Sequence, residues 1–77
     1  MSISDLRDAF NAAAGPKFTC RQAFMDIVRD AGEWQVLTFF GTGEDGATFE
    51  VKSDKLPPNT DLSKEAQGVA KKLIEGV

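Results

Sequence analysis

Few side chains in this sequence are equipped for chemistry. Cys20 is the one cysteine, and the chain has neither histidine nor tyrosine. A thiol in the first turn of a helix ionises more readily and can become a nucleophile. Nucleophilic catalysis also needs a base to take the proton, and the usual base, histidine, is missing. Cys20, placed between Phe18 and Phe24, therefore reads as a small apolar filler. One thiolate without an imidazole leaves zinc short of ligands, and a single cysteine makes no disulfide within the chain.

The carboxylates Asp5, Asp8, Asp26, Asp30, Glu33, Asp54 and Glu65 are the remaining candidates for acid–base work. Such a pair needs one member desolvated so that it holds its proton near neutrality. Each of these residues falls on a polar face or in a connector, where water keeps it ionised. The glycine-rich run GTGEDG at 41–46 lacks the helix or lysine that a phosphate loop requires after it. Glu44 and Asp45 alone fall well short of a calcium shell. No catalytic, metal or cofactor residue is assigned, and no small-molecule substrate is evident. The expectation is a chain that is not an enzyme.

The elements that must position these residues follow from hydrophobic spacing. Ile3, Leu6, Phe10 and Ala13 recur at helical intervals, with Ser2 or Ser4 as cap and Gly15-Pro16 as stop. A second helix is expected from about Cys20 to Ala31. Thr19 and Gln22 would form its capping box, Phe24, Ile27, Val28 and Ala31 its buried stripe with Cys20 at its start, and Gly32 its terminator. The period then changes to two. Glu33–Phe40 and Ala47–Ser53 read as the strands of a hairpin around Asp45-Gly46. Pro57-Pro58 enforces a connector, and a last helix runs from Leu62 to about Glu75, capped by Thr60 or Asp61. Gly68 in its middle suggests close approach of a neighbouring backbone.

The expected fold class is α+β, a single domain over residues 1–77 in the order α-α-β-β-α, its hairpin packed on helices. The expected core is Leu6, Phe10, Phe24, Ile27, Val28, Phe49, Val51, Val69, Leu73 and Ile74. At 77 residues the chain buries only about 60% of its unfolded surface, so efficient packing or self-association must support it. With 42% apolar residues it is too hydrophobic for disorder. No apolar run reaches the ~18 residues of a membrane span, and the N-terminus does not read as a secretory signal. The expected location is cytoplasmic.

Nine basic and twelve acidic residues give a net charge of −3, and no segment is basic. That argues against nucleic acid, where cationic side chains supply most of the affinity. Two helices followed by a hairpin nevertheless resemble a winged helix-turn-helix, with Arg21 and Gln22 on a recognition helix. Asp26, Asp30, Glu44 and Asp45 oppose that alternative reading. The double-stranded-RNA-binding domain is a second comparison. It fails on two counts, since only two strands are evident where three are needed, and Glu65 and Glu75 offset Lys64, Lys71 and Lys72.

The favoured expectation is a small protein–protein interaction module, of the kind common among bacterial and phage accessory proteins. Its partner is another protein or its own copy. The strand Glu33–Phe40 is apolar on both faces and, in a two-stranded sheet, has a bare edge. Trp34, Leu37 and Phe39 are the candidate interaction surface, and an edge-strand homodimer is the expected assembly. The competing arrangement folds the Leu56–Pro58 connector back over Leu37 and Phe39.

Overall fold

The structure is a computed structural model that describes residues 2–76. Helix α1 spans Ile3–Ala14 and turns Leu6, Phe10 and Ala14 into the core. Ser2 is its cap: the Ser2 hydroxyl accepts from the Asp5 amide at 3.2 Å, and the Ser2 amide donates to the Asp5 carboxylate at 3.1 Å. This reciprocal pair satisfies two otherwise orphan donors. Backbone and side-chain hydrogen bonds from Ser2 hold the Asp5 carboxyl below its ordinary pKa.

After α1 the expected helix is absent. Phe18–Arg29 is a strand, β1, which pairs antiparallel with β2, Glu33–Gly43. Strand β3, Thr48–Lys52, pairs with the other side of β2, and helix α2, Leu62–Glu75, closes the chain. The order is therefore α-β-β-β-α around a three-stranded sheet, β1-β2-β3.

The misreading of β1 has a specific cause. A bulge between Cys20 and Gln22 inserts an extra residue, so Cys20 and Ala23 both face the helices although three positions apart. Strand alternation broken in this way imitates helical spacing. The Thr19/Gln22 pair is not a cap either, since Thr19 lies in the strand opposite Thr42. The bulge coincides with Gly41, where an added Cβ would stand 1.9 Å from the Thr19 carbonyl oxygen. Close backbone approach thus occurs at Gly41 rather than at Gly68, whose Cβ would meet nothing within 4 Å.

Strand β2 is the centre of the sheet. Ser53 donates its amide to the Leu37 carbonyl at 2.8 Å, and Ser53 Oγ accepts from the Leu37 amide at 2.9 Å. Gln35 and Leu56 exchange two main-chain hydrogen bonds, each 2.8 Å, so the connector extends the β3 side as far as Leu56. The expected bare edge on this strand does not exist. At the far end of the sheet, Lys55 Nζ reaches the Asp30 carboxylate at 2.7 Å.

Both helices cover one face. Phe10 stacks on Phe39 at 4.7 Å between ring centroids and on Phe49 at 5.8 Å, while Phe18 meets Phe49 edge-on. Leu6, Ala14, Cys20, Ala23, Leu37, Leu56, Ala66 and Ala70 complete the buried cluster. Val51, Val69, Leu73 and Ile74 pack around it only partly buried. Three expected core residues belong elsewhere: Phe24 and Ile27 are exposed and Val28 is half-buried.

Replacing Phe39 with Ala should cost about 3–5 kcal/mol, close to the whole stability of so small a domain. Replacing Phe24 with Ala should cost about 1 kcal/mol, the worth of its edge-on contact with Phe40. Gly41→Ala should also unfold the chain, because the clash is with backbone. Thermal melts of the three variants check the order, and equal losses from Phe24→Ala and Phe39→Ala would contradict it.

Candidate interaction surface

Chemistry is sparse in the folded chain. No group of three or more Cys, Asp or Glu among the described residues could hold a metal ion. Cys20 is buried, and its thiol donates to the Gln22 carbonyl at 3.2 Å. Burial pushes this thiol above its ordinary pKa, and hydrogen bonds involving the Phe40 and Gln22 backbones offset part of that.

Of the three residues expected at an interaction surface, two lie in the core. Leu37 and Phe39 are 0% exposed, because their face of β2 is the one that α1 and α2 cover. Trp34 points to the opposite face near the β1–β2 turn, half-buried, with its indole N–H on the Asp30 carbonyl at 3.0 Å. The three do not form one patch.

The exposed apolar side chains are instead on β1. Phe24 is 46% exposed, Met25 40% and Ile27 55%; the fourth large exposed hydrophobic is Ile3, at the start of α1. Alternation along β1 puts Phe24 on the helix-free face, where it meets Phe40 edge-on at 5.6 Å. Met25 and Ile27, opposite Leu37 and Gln35, lie on the helix side of the sheet. Met25 is uncovered because it stands on the edge strand, since Leu37 directly opposite is buried, and Ile27 lies further along, where the helices no longer reach. A 12-residue strand extends about 40 Å, whereas a 14-residue helix reaches about 21 Å. The molecule measures 40 × 21 × 19 Å, and the distal half of the β1–β2 hairpin projects as an arm.

The edge of β1 is partly closed. At Cys20 the Asn11 carboxamide acts as a short strand, accepting from the Cys20 amide at 2.7 Å and donating to its carbonyl at 3.1 Å. Beyond the bulge that protection stops. Gln35 and Leu37 direct their main-chain groups to the connector, so their even-numbered neighbours on β2 turn to β1. By the antiparallel pattern, the main-chain groups of Ala23, Met25 and Ile27 then face outward along the bare edge. Beside it, Ile3, Ser4 and Arg7 of α1 and residues 21–24 of β1 line a cavity of about 240 Å³.

This edge is hidden in the sequence because Phe24, Ile27 and Val28 fit the buried stripe of a helix equally well. The density of Phe, Ile and Val between Phe18 and Val28 was the available signal. With that segment a strand, the winged-helix comparison loses its recognition helix. The third strand removes one objection to the double-stranded-RNA comparison. The charge objection stands, because Glu65 and Glu75 share α2 with Lys64, Lys71 and Lys72.

Comparison of the chain with protein families, with curated proteins and with solved structures finds no match.

Native protein at neutral pH should resist thiol alkylation, and Cys20 should react fully once denatured. A raised thiol pKa contributes stability below the ordinary thiol range, which is lost as rising pH ionises the group. Rapid alkylation of folded protein, followed by mass spectrometry, would place Cys20 at the surface instead.

Proposed function

We propose that this chain is a non-catalytic protein–protein interaction module that docks through the free edge of β1 and the projecting β1–β2 arm. One observation carries the reading: Phe24, Met25 and Ile27 stand exposed on a strand whose outer main-chain groups, beyond the bulge, have no partner among the described residues. Edge strands are ordinarily shielded by charge, proline or a covering segment. Between Ala23 and Ile27 the one charged residue is Asp26, which lies on the helix-free face rather than between the outward main-chain groups. Clustered apolar side chains beside an unpaired edge are the features of a surface that adds a strand from a partner. No helix among the described residues is long and apolar enough to cross a membrane, and a cytoplasmic location is part of the proposal.

Two substitutions test it. Ile27→Lys puts a charge on the arm, and Met25→Pro removes an outward-facing amide, a change that edge strands tolerate. At concentrations low enough for the parent to be monomeric, both variants should melt within a few degrees of it, as surface changes do. Both should lose the association that the parent shows, with itself or with a protein captured from source cells. Association that persists in both variants, with melting unchanged, would remove β1 from the interaction.

A further inference from the structure

We propose that the occupant of the β1 edge is a second copy of this chain, its β1 paired antiparallel about a two-fold axis at Phe24. This rests on the reading of β1 as the docking edge and adds the identity of the partner and the register.

In a continuous antiparallel sheet, residues directly opposite share a face, so a two-fold axis must pass through one residue of β1 that opposes itself. Centring on Phe24 sets Gln22 opposite the partner's Asp26 and Ala23 opposite the partner's Met25. The small side chain meets the large one, twice. Ala23 and the partner's Met25 are among the positions with outward main-chain groups, so they form a hydrogen-bonded pair. The two Phe24 residues form the closer, non-hydrogen-bonded pair and extend the Phe24–Phe40 contact across the axis.

Charge selects the same register. Neither Arg21 nor Asp26 forms a salt bridge within its own chain among the described residues. Centring on Phe24 brings Arg21, beside Gln22 at the bulge, to the partner's Asp26 at both ends. Centring on Met25 turns Arg21 toward the partner's Arg29. Centring on Asp26 sets two carboxylates face to face, which is unfavourable.

Coverage agrees as well. On the helix side the partner's Met25 and Ile27 pass beneath Ile3, into the cavity that Ile3, Arg7 and Ala23 line. One register therefore buries Ile3, Phe24, Met25 and Ile27, the four large hydrophobics that a single copy leaves exposed. Each arm occupies the space beside the other copy's α1, and pairing ends where Asn11 closes the edge at Cys20.

Sedimentation of the full chain at rising micromolar concentration should show conversion from 8.3 kDa to twice that mass. Phe24→Cys should cross-link to itself on mild oxidation, because a self-opposed non-hydrogen-bonded pair lies within disulfide reach. Asp26→Cys should not cross-link, nor should the parent through buried Cys20. Arg21→Asp and Asp26→Arg should each weaken the dimer about tenfold, each contact counting twice, and the double variant should recover it.

A chain that stays monomeric throughout overturns the second copy while leaving the docking edge to be judged by a foreign partner. A dimer indifferent to Ile27→Lys and Met25→Pro overturns the edge itself. A dimer that cross-links at position 26 instead of 24, or that the charge exchange fails to restore, overturns the register.

Discussion

Strand residues advance about 3.3 Å each and helix residues about 1.5 Å, and this difference in reach governs the molecule. Helices of 12 and 14 residues cannot cover a hairpin whose strands have 12 and 11. The covered half becomes the core, organised where Phe10 stacks on Phe39 and Phe49. The uncovered half becomes the arm, where Ile27 stands exposed, while Phe24 on the helix-free face keeps its edge-on contact with Phe40. Core and arm are thus two consequences of one mismatch in length.

The two edges of the sheet are treated differently. On the β3 side, Ser53 and Leu56 continue the hydrogen bonding of β2 past the end of β3, and Gln35 Nε2 adds a bond to the Pro58 carbonyl at 2.8 Å. On the β1 side, Asn11 closes a single residue, Cys20, and leaves the rest. Unpaired backbone and exposed apolar side chains each cost little alone in water. Together on one strand they make a template for another strand. A chain this short has little stability to spare, so burying four large side chains in an assembly would add substantially to it.

The bulge at Cys20/Gln22 links core to edge. It turns both Cys20 and Ala23 inward beneath α1, and Gly41 permits the close backbone contact that this requires. It also carries Arg21, a cation with no salt bridge among the described residues, to the start of the open edge. The thiol at this point serves packing, since burial disfavours its ionised form.

Local chemistry legible in the sequence is faithfully present in the fold. The Ser2 cap with Asp5, the Asp45-Gly46 turn, the proline connector and the Asp61 cap of α2 each depend on residues within a few positions of one another. Hydrophobic spacing likewise identified α1, α2 and the hairpin, because those segments keep one period throughout. Phe18–Arg29 does not: its bulge shifts the alternation, and the same apolar residues suit a helix stripe or a twisted strand. Only pairing with β2 decides between the two, and that pairing depends on residues up to 25 positions away. The decision moved the bare edge from β2 to β1, sent Leu37 and Phe39 into the core and brought Phe24 and Ile27 to the surface. Which strand is central is a property of hydrogen bonds between distant segments, and no local pattern of side chains records it.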